Sequence, residues 1–315
     1  MKKTESDVIR WIRTFAMLCI VLCHLQQAYD NKWAWVFNVG VQIFLALSGW
    51  LYGMKNIGDW RIWCKDKFIK LYIPYIIYVL IAFFVYRLFS IESFTFKNLV
   101  IYFCDLQWFL GNVEGLSHLW FMTAIAVCYL LTPILQYVRN KGWASISLSL
   151  LVIYGILNYY VFDISLDLFT CLFIYLFSYL FVSVKPTVKK IYIIGIICLF
   201  IYILSTLKWG ILLDYSNGIN KIFHVLFALV CVIIPIAFFG RFKKMNVPSF
   251  VRLSDRYSYY IYITHHLFIL GPFSLAYLTS STMLNLVLII LLTMFSAAFL
   301  MYLSKNVNNL ILYRE

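Results

Sequence analysis

An arginine and a histidine stand eleven residues apart inside the first long apolar segment of the chain, as Arg13 and His24. An imidazole accepts and releases protons near neutral pH, and a guanidinium binds phosphate or carboxylate groups. At about 100° per residue, eleven steps make three turns plus roughly 20°, so a helix presents both side chains on one face, ~16 Å apart along its axis. This pattern predicts proton-transfer or anion-binding chemistry within an apolar segment.

The composition indicates that this segment crosses a membrane. Of the 315 residues, 63% are hydrophobic and 12% are charged, and the mean hydropathy is +0.87. We predict an all-α integral membrane protein, a bundle of about ten transmembrane helices forming a single domain over residues 1–315. Each span needs about 20 residues. The ten predicted spans are 8–29, 33–54, 71–89, 119–138, 146–162, 167–184, 189–208, 222–239, 257–273 and 283–304.

The distribution of charge agrees with this count. Cytoplasmic loops of membrane proteins carry an excess of Lys and Arg. If both chain ends are cytoplasmic, the inside segments hold 21 of the 26 basic residues. The net charge of +13 is therefore interpreted as membrane topology, and no nucleic-acid partner is expected. The longest outside segment, 90–118, is too polar to span and predicts an interfacial or re-entrant helix.

Arg13 and His24 also have purely structural interpretations. Arg13 lies near the end of its span, where a long cationic side chain can reach the membrane surface and fix the topology. His24 alone can supply a hydrogen bond between packed helices. Ionisable residues within spans usually face a bundle interior or a wet cavity, so the shared helix face favours a functional site.

The cysteines do not indicate a metal site. All eight are scattered singly, without a CxxC pair or a Cys/His quartet. Cys19 and Cys23 lie one turn apart beside His24, but this set lacks a fourth ligand for zinc. We expect neither a metal nor a disulfide framework.

Five segments in chain order resemble the membrane-bound acyltransferase family three. They are Arg13 with His24, GVQIFLALSGWL (40–51), KFIKLYIPY (67–75), HLWFMTAIAVCYLLTPIL (118–135) and SYYIYITH (258–265). The resemblance covers nearly the whole chain. It implies a multi-pass protein of the bacterial cytoplasmic (inner) membrane that moves acyl groups, often acetyl, from acyl-CoA to sugars of cell-surface polysaccharides.

Acyl transfer to a hydroxyl needs a base, a stabilised oxyanion and the exclusion of water. The resemblance implies that His24 is catalytic, either as the base or as a covalent carrier of the acyl group. Arg13 is expected to meet a CoA phosphate or to stabilise charge near the thioester.

Further residues are expected to bind the two substrates. A cytoplasmic basic cluster is expected to bind the CoA phosphates, although the positive-inside bias alone also explains it; its members are Arg61, Lys65, Lys67 and Lys70. The family usually has Arg-x-x-Arg where this chain has Lys67 and Lys70, and lysine lacks the bidentate geometry of arginine toward phosphate.

Three residues are expected to position the acceptor or to act as a second base: His118, Trp120 and His265. Interface anchoring or helix packing also explains them. The Ser48–Gly49 pair is expected to permit close helix packing. His224 and His266 fit no pattern.

The implied partners are acyl-CoA, with acetyl-CoA as the expected donor substrate, a glycan or lipid-linked saccharide acceptor, and membrane lipids. No bound cofactor is expected, and the oligomeric state is not indicated. Two other functions fit the apolar composition: a polytopic transporter that exports a glycan or small polar solute, and a non-catalytic partner in polysaccharide assembly. No internal repeat is visible, which weighs against an inverted-repeat transporter.

Overall fold

The structure, a computed structural model, describes residues 3–157, 166–184, 187–209, 218–239 and 246–312. Within these ranges the backbone forms helices and turns and contains no strand, which confirms the predicted all-α class. The α-helices are α1 (Lys3–Ala28), α2 (Ala34–Phe37), α3 (Gly40–Gly53), α4 (Trp60–Leu88), α5 (Phe96–Phe103), α6 (Gln107–Leu110), α7 (Trp120–Asn140), α8 (Ala144–Leu157), α9 (Leu166–Ser183), α10 (Val188–Trp209), α11 (Gly218–Phe239), α12 (Ser249–Ile269) and α13 (Thr282–Leu312).

Each of the ten apolar stretches predicted from the sequence overlaps a described helix, and the second stretch, 33–54, contains two helices, α2 and α3. Five spans in the described ranges are long and apolar enough to cross a membrane: Ser6–Ala28, Ala34–Gly53, Trp60–Leu88, Ser117–Asn140 and Thr282–Leu310. Residues 158–162, the end of the fifth predicted span, lie outside the described ranges. The described part of the chain is thus all-helical and has apolar helices typical of a membrane protein, while ten spans and cytoplasmic ends stay predictions.

Two helices begin well before the predicted spans. Helix α4 starts at Trp60 rather than at residue 71, because the Asp59 side chain caps its first turn by accepting from the backbone N–H of Arg61. Helix α12 starts at Ser249 rather than at residue 257. Apolar content predicted only the part of each helix that can lie in lipid, whereas polar residues extend both helices beyond it.

The segment 90–118, which the sequence predicts to lie outside, contains two short helices, α5 and α6, instead of the one helix expected. Thr95 caps the start of α5 by accepting from the N–H of Asn98. Asp105, with φ of 55°, follows the end of α5 and turns the chain before α6 begins. A residue in this left-handed conformation ends a helix, so a continuous helix cannot form here.

Two compact units interleave along the chain. The first comprises Met1–Cys23, Lys32–Gly58 and Cys128–Asp255, and the second comprises His24–Asn31, Asp59–Val127 and Arg256–Glu315. Within the first unit α3 packs on α9 and α11, and α10 packs on α11. Within the second unit α4 packs on α5 and α13. A single domain over residues 1–315 stays a prediction.

Helices α3 and α9 approach each other closely at two glycines. A Cβ atom added to Gly49 would lie 2.3 Å from the carbonyl oxygen of Tyr175, and one added to Gly53 would lie 2.6 Å from that of Tyr179. Backbone atoms of a packed helix cannot rotate aside as a side chain can. The close helix packing expected at Ser48–Gly49 is therefore confirmed, with Gly49 as the residue that permits it.

Gly49→Ala is predicted to destabilise the protein. Overpacking costs about 1–3 kcal/mol, which exceeds the gain of up to about 1 kcal/mol that alanine brings to a helix interior. The matched control is Gly195→Ala on α10, where the added methyl group meets only the flexible end of Ile234. Thermal unfolding in detergent should show a lower midpoint for Gly49→Ala than for Gly195→Ala. Equal midpoints would contradict the close approach of α3 and α9.

Candidate active site

Four histidines from three segments lie together in the second unit. Helix α1 supplies His24, the 3-10 turn Ser117–Leu119 supplies His118, and α12 supplies His265 and His266. The ring centroids of His118 and His266 are 4.6 Å apart, and those of His24 and His266 are 4.7 Å apart. His265 lies 5.2 Å from His118 and 5.3 Å from His24. We call these four residues the histidine cluster.

In three of these four rings, one nitrogen donates a hydrogen bond to an oxygen acceptor. His118 Nε2 donates to the carbonyl of Ile263 at 3.0 Å, and His265 Nδ1 donates to the carbonyl of Tyr262 at 2.8 Å. His24 Nδ1 donates to Gln27 Oε1 at 2.7 Å. A neutral imidazole has one N–H donor and one lone-pair nitrogen. The second nitrogen of each ring is therefore a base.

Several of these second nitrogens have no partner among the described residues. His118 Nδ1, His265 Nε2 and His266 Nδ1 are buried and make no hydrogen bond with any residue that the structure describes. Leaving a buried polar atom unsatisfied costs about 1–3 kcal/mol. Several unpaired ring nitrogens in one cluster therefore indicate that a bound ligand supplies the hydrogen-bond donors. His24 is half-buried, whereas the other three rings are buried.

Close backbone packing positions the segment before His118. Gly115 has φ of 76°, and a Cβ atom there would lie 2.9 Å from Gly271 Cα and 2.6 Å from Tyr86 Oη. The Tyr86 hydroxyl donates to the carbonyl of Glu114 at 2.6 Å. His266 makes a hydrogen bond with the backbone of Gly115. The turn is thereby held against the end of α12, and His118 is held beside His266.

The sequence predicted three members of the histidine cluster and missed the fourth. His24, His118 and His265 were candidates, and the structure brings all three together. His266 was not a candidate because it fits no pattern in the sequence. His224 lies in the first unit, is buried, and bonds to the backbone of Trp35.

Arg13 makes an ion pair within the first unit. It shares helix α1 with His24, as predicted, and its Nη1 atom lies 3.4 Å from Asp255 Oδ1 on α12. Arg10 Nε lies 3.9 Å from the other oxygen of the same carboxylate. Thr14 donates to the carbonyl of Val251 at 3.4 Å. The ion pair of Arg13 with Asp255 therefore links α1 to α12. A catalytic role for Arg13 stays a prediction.

The predicted donor-binding residues lie on the first three turns of α4. Lys70 Nζ lies 3.4 Å from Asp66 Oδ2, and the charged ends of Arg61 and Lys67 lie over the rings of Trp60 and Trp63 respectively. By helical geometry Arg61 and Lys70 point about 180° apart, whereas Lys67 and Lys70 point only about 60° apart. Lys67 and Lys70 thus point in similar directions from α4, whereas Arg61 points from another side of the helix.

Helix α4 and the helix with two of the histidines are in contact within the second unit. The Tyr259 hydroxyl of α12 donates to the carbonyl of Leu71, the residue after Lys70. His265 follows Tyr259 by six residues, which is about 9 Å along a helix. Trp120, by contrast, has its ring 4.6 Å from that of Trp108. An acceptor-positioning role for Trp120 stays a prediction.

Asp105 connects the segment 90–118 to α7. Its Oδ1 atom accepts from Gln107 Nε2 at 2.9 Å and from the Thr123 hydroxyl at 3.1 Å. Gln107 Nε2 also donates to the carbonyl of Leu119 at 2.8 Å, next to His118. Burial raises the pKa of the Asp105 carboxyl group from the ordinary 3.8 to about 6, against the opposing effect of these two hydrogen bonds. Asp105 is thus a partly buried positioning residue.

Across the described ranges, no group of three or more His, Cys, Asp or Glu side chains is arranged to hold a metal ion. In comparisons with known proteins, a family model described as an acyltransferase domain matches residues 7–303 of this chain. The comparisons found no matching curated protein and no matching solved structure.

The pKa of Asp105 predicts a pH-dependent contribution to stability. Because this pKa is higher in the folded chain than in the unfolded chain, folding holds the proton more tightly, and stability falls as the pH rises from about 4 to about 6. Asp105→Asn keeps a carbonyl acceptor for Gln107 and Thr123 but removes the titration. The unfolding midpoint of this variant should therefore rise relative to wild type over that pH range.

The control for this measurement is Glu92→Gln, which changes an exposed carboxylate of the same outside segment. Its unfolding midpoint should follow that of the wild type. A constant difference between Asp105→Asn and wild type from pH 4 to pH 7 would contradict the assignment.

Proposed function

Since the chain belongs to the acyltransferase family whose model covers residues 7–303, we propose that it is an O-acyltransferase that uses acyl-CoA. The proposed acyl group is acetyl. The acceptor is a hydroxyl group of a cell-surface glycan or a lipid-linked sugar. The observation that supports this most strongly is the histidine cluster, in which His24 lies beside buried imidazole nitrogens that have no partner.

His24 is the proposed reacting imidazole, because it is the member of the cluster that is half-buried rather than buried. Its bond to Gln27 leaves Nε2 as the basic nitrogen. As a general base, Nε2 takes the hydroxyl proton while the acceptor oxygen attacks the thioester carbonyl carbon. The carbon–sulfur bond then breaks, and the CoA thiolate receives the proton from the imidazolium.

A covalent route uses the same nitrogen. Nε2 attacks the thioester carbonyl carbon, the carbon–sulfur bond breaks, and CoA leaves as its thiol with the proton that the acyl-imidazolium loses from Nδ1. The acyl-imidazole then passes its acyl group to the acceptor oxygen, and the hydroxyl proton returns to the ring. Both routes need one basic nitrogen and the exclusion of water. A rapid acid quench without acceptor separates them, because only the covalent route leaves a labelled, hydroxylamine-sensitive protein.

The three buried histidines are proposed to hold the acceptor. Their free nitrogens are hydrogen-bond acceptors, so they complement a ligand that brings several O–H donors. A sugar has this property, and an acyl thioester does not. His118 and His265 were expected in this role, and His266 joins them through its contacts with His24 and His118.

The donor is proposed to bind through the cations of α4. Lys67 and Lys70, with Arg61 on another side of the helix, would bind the CoA phosphates as charged groups. Arg13 would stabilise negative charge of the donor, which would compete with Asp255 for its guanidinium. The contact between Leu71 and Tyr259 supports a path along α12 from these lysines toward His265.

The proposal includes a bacterial inner-membrane protein of ten spans with both ends in the cytoplasm. The charge distribution and the match of each predicted span to a helix support it. The family assignment does not favour a transporter.

His24→Gln is predicted to lower acyl transfer at least about 100-fold, because general-base catalysis contributes about 10²–10⁴-fold. The assay uses purified protein, radiolabelled acetyl-CoA and candidate glycans. His224→Gln is the matched control, since it removes a buried histidine of the first unit, and its activity should stay near that of the wild type. Equal activity of His24→Gln and His224→Gln would exclude His24 as the reacting group.

Replacing both Lys67 and Lys70 by alanine is predicted to raise the KM for acetyl-CoA while kcat stays nearly constant. Partly exposed ion pairs contribute up to about 1 kcal/mol each, so the increase should be on the order of fivefold and no more than about thirtyfold. The effect should shrink at high salt because mobile ions screen these charges. Arg87→Ala, at the other end of α4, is the control; an equal rise in KM there would count against the assignment.

A further inference from the structure

A cavity of about 460 Å³ lies in the first unit, among the ends of α3, α7, α9 and α10. Its volume is within the range of small-molecule sites, which is about 300–1,000 Å³. Its polar lining comes from Trp50, Lys55, Asn56, Arg139 and Ser183, none of which belongs to the histidine cluster. We propose that this cavity binds the phosphate group of a phosphate ester.

Arg139 provides the fixed charge of the cavity. Its Nη1 atom donates to the carbonyls of Gly53 at 2.7 Å and Lys55 at 2.8 Å, and its Nη2 atom donates to Asn56 Oδ1 at 3.1 Å. A guanidinium has five N–H groups, so these three bonds leave two for a ligand. The bonds also hold the guanidinium in place before a ligand arrives, which lowers the entropy lost on binding.

The indole N–H of Trp50 is independent evidence for a ligand that accepts a hydrogen bond in this cavity. Its side chain lines the cavity and is only 5% exposed, yet its indole Nε1–H makes no hydrogen bond in the structure. An indole nitrogen can only donate. A buried donor of this kind is satisfied by an acceptor atom, and phosphate oxygens are strong acceptors.

The charged residues that line the cavity favour an anionic ligand. The lining contains two cations, Arg139 and Lys55, and among the described residues no carboxylate takes part in it. Helix α10 borders the cavity through Ile191 in its first turn, where the helix dipole is positive. Asn56 and Ser183 add neutral hydrogen-bonding groups.

A simpler explanation covers only part of this arrangement. Arg139 can be regarded as a cap for the C-terminal carbonyls of α3, which accounts for its bonds to Gly53 and Lys55. It does not account for the unpaired Trp50 Nε1–H or for a second cation at an open cavity. A bound phosphate ester would supply an acceptor for the indole and a counter-charge for the second cation.

Two sources carry this chemistry: the nucleotide end of a free coenzyme and the headgroup of an anionic phospholipid. Binding to full-length protein in detergent tests the first, with adenosine 3′,5′-bisphosphate as the probe and adenosine as its uncharged control. Thermal unfolding in nanodiscs of phosphatidylglycerol, compared with phosphatidylcholine, tests the second. Neither measurement requires acyl transfer, so the proposed function can fail while this inference holds.

The variants are chosen to leave the Arg139 hydrogen bonds intact. Lys55→Gln removes one charge, and Trp50→Phe removes the indole N–H. Lys141→Gln is the control, because Lys141 is an exposed lysine shortly after Arg139 whose ammonium lies over Tyr137 rather than in the cavity lining. Circular dichroism and gel filtration confirm that each variant is folded.

Wild-type protein should bind the bisphosphate, or be stabilised by phosphatidylglycerol, in a salt-dependent manner. Lys55→Gln should weaken that effect about fivefold, as expected for loss of one partly exposed ion pair. Trp50→Phe should weaken it by a similar factor of about five, as expected for loss of one hydrogen bond. Lys141→Gln should behave as the wild type. Absence of both effects, or equal losses in Lys55→Gln and Lys141→Gln, would overturn the proposal.

Discussion

The pairing of each buried imidazole with an oxygen acceptor is the interaction on which the candidate active site depends. Lipid offers no hydrogen-bond partner to a ring nitrogen, so a partner must come from the chain or from a bound ligand. The carbonyls of Ile263 and Tyr262 and the amide of Gln27 do so for three rings. Each of these bonds fixes a tautomer and leaves the opposite nitrogen as a base. These neutral oxygen acceptors thus hold three of the histidines ready for proton transfer.

The unsatisfied nitrogens of the cluster are costly unless a ligand uses them. Three buried acceptors at about 1–3 kcal/mol each represent a large part of the stability of a typical protein. Positions that bind substrate are where such a cost is usual. The same reasoning applies to the Trp50 donor in the first unit, with the opposite hydrogen-bonding sense. Acceptors without donors suit a hydroxylated ligand, and a donor beside cations suits a phosphate.

Much of the fold follows from the sequence because lipid imposes simple rules. Apolar length predicted a helix at each of ten places, and Gly49 predicted a close helix contact. The sequence did not predict where α4 and α12 begin, since their first turns contain Arg61 and Arg252 and lie outside the uninterrupted apolar stretches. It also missed the break at Asp105, because a left-handed residue other than glycine has no clear sequence signal.

The sequence predicted most residues of the candidate site but not how the fold arranges them. The spacing of Arg13 and His24 correctly placed both on one helix, but the ion pair of Arg13 with Asp255 joins residues 242 apart and leaves no local pattern. His266 was missed for the same reason: its partners come from α1 and from the turn before α7. Long-range contacts of this kind follow from packing, which the sequence of one helix does not specify.

The most direct measurement of the central claim is the location of the reacting acyl group. An acyl-CoA analogue with a diazirine on its acyl chain is irradiated on the full protein, and labelled peptides are identified by mass spectrometry. The account predicts labels on α1 near His24 and on α12 near His265 and His266, which excess acetyl-CoA removes. Competed labels found only on segments away from the histidine cluster would contradict it.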